Sequence, residues 1–340
     1  MISTPYRLRS VGSVQITSWR KQVRQQSTTL ATFAIREKYL LKPKRAISQP
    51  FLACRAVRRV AWPFLLVTSC SILAVGFVAG REVLYFNLSY AWIVAWLFLL
   101  EIGTPYRASW CRSDGQLGPD LGHTILNKGL VQLLIVQLIA LGIVGADNNS
   151  SVATLPLPVQ VIIGLVISEI GLYGAHRLAH EWPLLWRCHA IHHSVQKLWL
   201  VNTGRFHFID SIVSVFASVP FLLLSGISMD AVVWVSALTA YIGILTHCNV
   251  AMECGWLNYI FNTPNLHRWH HSTERELSNS NYGENLMLWD MLLGTYLYKK
   301  GCDITSIGID ERIPVGFLDQ LAAPFRWASV QNGAVSKVEK

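Results

Sequence analysis

The sequence predicts an all-α, polytopic integral membrane protein: about six hydrophobic spans in hairpins, with a cytoplasmic helical cap that carries most of the histidines. Three observations predict it. Apolar residues make up 52% of the 340-residue chain and charged residues only 14%, with a mean hydropathy of +0.35, too apolar for a typical soluble protein. The charge is segregated, because residues 1–59 hold thirteen Lys and Arg against the single acid Glu37 while the whole chain is only +9. Ten of the eleven histidines fall between His176 and His271, close behind apolar runs.

The basic arm, residues 1–59, reads as a solvated, partly disordered segment held inside by the positive-inside rule and drawn to anionic lipid. Its first 36 residues, rich in Ser, Thr and Arg and free of acids, also fit a transit peptide. A nucleic-acid role is not expected, since the arm leads straight into a membrane span. The first span runs from Ala61 to Gly80 and the second from Val83 to Leu100, closed by Glu101. Residues 103–128 read as a polar cytoplasmic loop, with turn signals at Asp114-Gly115 and Gly118-Pro119-Asp120. A third apolar run, Leu130 to Val144, completes a first membrane section of residues 60–154. A fourth, Leu155 to Tyr173, opens the histidine-bearing region of residues 155–299 and leads directly into His176. Phe208 to Leu224 and Ala231 to Leu245 form a further hairpin, turning at Ser225 to Asp230, and residues 300–340 are a polar tail. With the arm inside, four crossings return the chain to the cytoplasm before the first histidines. The outward loops, 80–83 and 146–154, hold one basic residue between them and the inward loop 103–128 holds three, in agreement with that topology.

Gly174 to Ser194 holds five histidines. His176 and His180 are four apart and share a face if helical. Pro183 is suited to open the next helix, on which His189, His192 and His193 follow at i, i+3, i+4. About seventy residues on, Thr263-Pro264 offers an N-cap and a first-turn proline before His267, His270 and His271 at the same spacing. Eight buried imidazoles without a metal would each need a hydrogen-bond partner, and any proton gained would be a buried charge. His123, outside this set, reads as an ordinary hydrogen-bonded core or surface histidine.

Ligand chemistry narrows the metal. With no C-x-x-C pair, a closed structural zinc site is not indicated. Eight imidazoles suffice for two metal ions with open positions, and imidazole suits zinc, copper, iron and nickel alike. The apolar setting favours iron, whose activation of oxygen reaches unreactive hydrocarbon. Intramembrane transport of a metal would expect ionisable residues inside several spans, whereas Glu169 stands nearly alone there.

His-Arg-Leu-Ala-His at 176–180, His-Ala-Ile-His-His at 189–193 and His-Arg-Trp-His-His at 267–271, split by a hydrophobic hairpin, resemble the histidine boxes of the fatty acid hydroxylase and sterol desaturase superfamily of membrane di-iron enzymes. Arg205-Phe206-His207-Phe208-Ile209-Asp210 is similar to the stretch after the second box, with Phe208 where a proline is usual. Asn281-Tyr282-Gly283, Trp289-Asp290 and Gly294-Thr295-Tyr296 are similar to the close after the third box, and Phe317 to Leu321 with Pro324-Phe325 to the tail of bacterial sterol desaturases.

The resemblance implies two iron ions bound by His176, His180, His189, His192, His193, His267, His270 and His271, with His207 and His247 as additional ligands. It implies O2-dependent hydroxylation or desaturation of a lipid C–H, most readily a sterol or sterol-like lipid, with fatty-acyl, alkylglycerol or carotenoid substrates as alternatives. No dinucleotide-binding or haem-binding segment is evident, so electrons are expected from a separate donor, cytochrome b5-like or ferredoxin with its reductase. The expected place is the endoplasmic reticulum of a eukaryote or the inner membrane of a bacterium, with the site facing the cytoplasm. Asp290 and Glu274 are candidates to orient imidazoles through their ring N–H. Arg205 is expected to pair with Asp210 or to face lipid phosphates. Glu169 is expected to line the site or bond a neighbouring helix. The thirteen tryptophans read as an interfacial belt; the seven cysteines are not spaced for metal, and Cys188 and Cys248 read as buried structural thiols.

Overall fold

A computed structural model describes residues 55–140, 150–304 and 306–335. The elements below belong to one compact unit, formed within residues 46–299 and 306–340. Most of the basic arm, the end of the third apolar run and the turn after it lie outside the described residues.

The described chain is helical, with isolated β-bridges and no strand. Helix α1 (Arg55–Ala79) and helix α2 (Glu82–Gly103) form the first hairpin, turning at Gly80, whose φ of +61° is the left-handed backbone that glycine adopts without strain. The last residues of the expected arm are therefore the first turn of α1. Arg55, Arg58 and Arg59 gather around Glu253, with closest approaches of 3.8, 3.7 and 3.4 Å.

Helix α3 (Leu117–Ala140) begins inside the segment expected to be a polar loop. Gly118-Pro119-Asp120 was legible as a turn, but a proline in a first turn forfeits no intrahelical bond and an acid there meets the positive end of the helix dipole. The same three residues start a helix here.

Helix α4 (Leu157–Glu181) carries His176 and His180 at its far end. It stops at Trp182, whose extended backbone (φ −100°, ψ 116°) is what a following proline requires. Pro183 then opens α5 (Pro183–His193). Helices α6 (Phe208–Leu224) and α7 (Met229–Thr246) form the second hairpin, the latter capped by Ser228 Oγ, which accepts from the Ala231 N–H at 3.4 Å. Short helices follow: α8 (Pro264–His270), α9 (Arg275–Ser278), α10 (Leu288–Leu293), α11 (Phe317–Ala322) and α12 (Trp327–Val335). Thr263 holds the N-cap position of α8, yet its hydroxyl bonds Asn258 Oδ1 at 2.6 Å instead of capping.

Four helices among the described residues, α1, α2, α4 and α7, are long and apolar enough to cross a membrane, and α6 is a shorter apolar helix. Their outer faces expose Val67, Val78, Val83, Phe98, Ile102 and Ile162, as lipid-facing surfaces do. Inside, Trp62, Leu65, Leu73, Ile93, Leu97, Tyr241 and Leu245 form one core linking α1, α2 and α7. Val161 and Leu165 of α4 pack on Ile227, Ala231 and Val235 at and beyond the second turn. Gly171 lets α4 and α6 meet: a Cβ there would lie 2.0 Å from the Ala217 carbonyl oxygen. That crossing fixes the height of His176 and His180 relative to the elements that follow α6.

Candidate metal centre

Nine buried histidines converge, and they form two adjoining groups. The first is His176, His180, His189, His193 and His270; the second is His192, His247, His267 and His271. Within each group the candidate ligand nitrogens lie within 4.8 Å of one another. The groups adjoin, with the His193 and His271 rings stacked at 4.4 Å.

Helix geometry explains the split. At about 100° per residue, positions four apart differ by about 40° and positions three apart by about 60° in the opposite sense. His189 and His193 on α5 thus turn to one group and His192 to the other. On α8, His267 and His271 form the like pair and His270 turns away. His176 and His180, four apart on α4, stay together. His247, the residue that terminates α7, joins the second group.

Most Nδ1 atoms face fixed acceptors. His176 Nδ1 lies 2.7 Å from the Tyr282 carbonyl, His270 Nδ1 2.8 Å from the Ser280 carbonyl and His192 Nδ1 3.3 Å from the Arg205 carbonyl. His180 Nδ1 meets Asn279 Oδ1 and His247 Nδ1 meets Asn202 Oδ1, each at 3.2 Å. His189 Nδ1 donates to Asp210 Oδ2 at 2.8 Å. An acceptor at Nδ1 places the proton there, so Nε2 keeps a bare lone pair.

The Nε2 atoms are turned on one another, those of His193, His267 and His271 among them. His180 Nε2 is 3.0 Å from His193 Nε2, and His193 Nε2 is 3.1 Å from His189 Nε2. In the second group, His271 Nε2 is 3.1 Å from both His192 Nε2 and His267 Nε2. Nε2 of His176, His247 and His270 has no hydrogen-bond partner among the described residues. Protonation does not relieve this crowding, because burial pushes His192, His193, His267, His270 and His271 well below the ordinary histidine range and His247 to about 3. Converging neutral imidazole lone pairs in a buried space fit metal cations.

Two carboxylates and a loop hold this arrangement. The segment after the third box supplies the Tyr282 and Ser280 carbonyls. Asp290 pins it by accepting the Tyr282 and Gly283 N–H groups at 2.8 and 2.7 Å and the Thr295 hydroxyl at 2.6 Å. Asn281 adopts a left-handed φ of 55° and its amide donates to the Leu266 and Leu297 carbonyls. Glu169, from within α4, accepts from the Asn285 N–H and the Asn285 side chain at 2.9 and 2.8 Å. It therefore neither lines the site nor bonds a helix, but ties the loop to the span.

Other expected residues take different places. His207 stands outside both groups: its Nδ1 accepts from the Ile209 N–H at 3.3 Å, capping α6, and its Nε2 lies 3.1 Å from the Leu321 carbonyl. Arg205 pairs with Asp120 at 2.8 Å, not with Asp210, which is given to His189. Asp290 acts through the loop rather than on an imidazole, and Glu274 occupies the N-cap position of α9. Trp186 packs beside His180 and His193, at ring separations of 5.3 and 5.7 Å, rather than in a surface belt. Phe206 stacks on His192 at 4.0 Å.

The chain is 44% identical over 287 residues to an ornithine lipid hydroxylase of Rhizobium tropici, covering 79% of this chain and 84% of the relative. The family model for fatty acid hydroxylases matches residues 161–295. The chain belongs to the fatty acid hydroxylase family. Within that family it also matches alkylglycerol monooxygenases, at 33% identity over 132 residues for Xenopus tropicalis and 30% over 132 residues for Homo sapiens. Those matches span 39% and 38% of this chain but only 29% and 28% of the relatives. No solved structure matches. The expected closeness to sterol desaturases is not carried by these relatives, whose names are those of other lipid oxygenases. As a member of the family, the protein is an integral membrane lipid hydroxylase that uses O2, and the imidazole groups point to bound iron.

Proposed function

We propose that this protein is a di-iron hydroxylase of an ornithine-type lipid, with one iron held by each imidazole group. His176, His180, His189, His193 and His270 would hold one ion, and His192, His247, His267 and His271 the other. The observation that carries the reading is the convergence of bare Nε2 lone pairs into two adjoining buried groups. When bound, the irons supply activation of O2 for insertion of an oxygen atom into a lipid C–H.

The chain's own residues do the rest. Asp210 and the Tyr282, Ser280 and Arg205 carbonyls keep a proton on Nδ1 of their histidines, which fixes ring orientation and directs Nε2 inward. Trp186 and Phe206 pack against the imidazoles and exclude water. The exposed apolar faces of the spans keep the lipid's tails in the bilayer beside the site. The ornithine-lipid reading rests on the length of that match, which spans most of both chains, against partial matches to the alkylglycerol enzymes. Hydroxylation is preferred to desaturation because those relatives are named as hydroxylases and monooxygenases.

The histidine groups are assigned to the cytoplasmic face, as the loop charges favour, and electrons are assigned to a separate donor, cytochrome b5-like or ferredoxin with its reductase. The test is expression in a host that makes ornithine lipids, followed by mass spectrometry of the lipid extract. A product one oxygen heavier, absent in the His267→Ala/His271→Ala variant, supports the reading. An unchanged ornithine-lipid pool with a change in another lipid class overturns the substrate.

A further inference from the structure

A polar pocket of about 150 Å³ adjoins the first imidazole group, lined by His180 and His193 together with residues of α9 and of segment 308–311. Its lining is chemically divided. Arg275 contributes a cation that has no ion-pair partner among the described residues, and Asp310 and Glu311 contribute carboxylates. Glu311 is held in place by the Trp186 indole N–H, which donates to its Oε1 at 3.1 Å, and Trp186 itself lines the pocket. Asn279, whose side chain meets His180 Nδ1, and Ser272 add to the polar lining.

Resting on the ornithine-lipid reading above, we propose that this pocket seats the lipid's headgroup, Arg275 taking its carboxylate and Glu311 with Asp310 its side-chain ammonium. An acyl chain gains nothing from such a lining, since burying it here would strip water from charged and hydroxyl groups without replacing their bonds. A headgroup bearing both signs satisfies both walls at once, and Arg offers a carboxylate two parallel donors. The tails extend from this pocket toward the apolar spans. The arrangement brings the polar end of the substrate beside His180 and His193, so Arg275 and Glu311 are specificity-determining residues.

The test is binding to the metal-free, detergent-purified full chain, followed by tryptophan fluorescence, with Trp186→Phe identifying the part of the signal that comes from the pocket. The probes are N-decanoyl-ornithine, N-decanoyl-norvaline, which lacks the amine, N-decanoyl-1,4-diaminobutane, which lacks the carboxylate, and free ornithine. N-decanoyl-ornithine is expected to bind tightest, with each truncated probe weaker by roughly tenfold or more, as charge-assisted contacts imply. Arg275→Gln should abolish the preference for the carboxylate and Glu311→Gln the preference for the amine, while Gln still accepts from Trp186. Equal affinity for the three acyl probes, or variants that leave the preferences intact, would overturn the headgroup site, as would free ornithine binding as tightly as its acyl form. A wild-type enzyme that hydroxylates ornithine lipid while failing these arms sinks the pocket and spares the function. Selective binding of N-decanoyl-ornithine by a protein that leaves ornithine lipid unoxidised sinks the function instead.

Discussion

Replacing Asp210 tests how the centre is held. Its Oδ2 accepts from His189 Nδ1 at 2.8 Å, and the side chain is only 10% exposed, so little solvent competes for the bond. A hydrogen bond to a charged acceptor contributes about 1.5–3 kcal/mol. Losing the partner of a metal-bound histidine typically costs about 10–100-fold in metal affinity, which is about 1.4–2.7 kcal/mol. Asp210→Ala removes the acceptor and is expected to fall at the upper end. Asp210→Asn keeps an amide oxygen for Nδ1 but loses the charge, and should fall near the lower end. Only the first group contains His189, so the loss should concern one of the two proposed irons. The assay is iron retained against a graded chelator in detergent-purified protein, read as a two-phase curve. If Asp210→Ala releases iron at the same chelator concentration as wild type, the orienting role assigned to this carboxylate is wrong.

Three further outcomes follow from the same geometry. Gly171→Leu should unfold or markedly destabilise the protein in a detergent melt, by at least about 1–3 kcal/mol, because a side chain would meet the Ala217 carbonyl; an unchanged midpoint would deny the close crossing of α4 and α6. His207→Ala should leave iron content unchanged and cost about 1 kcal/mol of stability through its lost cap, whereas iron loss would return it to the ligand set. In the metal-free protein, His247, pushed to about 3, binds a proton in the unfolded chain well before the folded one. Stability should therefore fall as pH drops from about 6.5 toward 3, by about 1.4 kcal/mol per unit for such a group, and a melting temperature that rises over that window would contradict the buried, neutral imidazoles.

Much of the histidine grouping was legible in the sequence because residue spacing on a helix is a local property. His176 with His180, His189 with His193 and His267 with His271 announce themselves as pairs four apart. Pro183 and Pro264 mark the starts of α5 and α8 without ambiguity, since a first-turn proline is both tolerated and pre-set for the helix. The division of each triplet between two groups was also present in the spacing, as the angular offset between three and four residues. What sequence did not offer was the partner of each ring. The acceptors at Nδ1 are largely backbone carbonyls, such as Tyr282, 106 positions from His176, and a carbonyl has no residue type to recognise. Asn281, Gly283 and Asp290 were visible as a motif, but their work of shaping the loop emerges only when Glu169 is seen to hold Asn285 from inside a span. The start of α3 was misread because Gly-Pro-Asp suits a turn and a first helical turn equally well. His207 was placed in the site by its neighbours in sequence, while the helix it caps engages its Nδ1 and the Leu321 carbonyl of α11 engages its Nε2.

The central claim is two metal groups that share helices but not ligands, and the most direct measurement is metal content per chain in purified wild type and two double variants. Wild type should hold about two irons, and His176→Ala/His180→Ala and His267→Ala/His271→Ala should each hold about one. Zinc or no metal in the wild type, or loss of all iron from either pair alone, would contradict it.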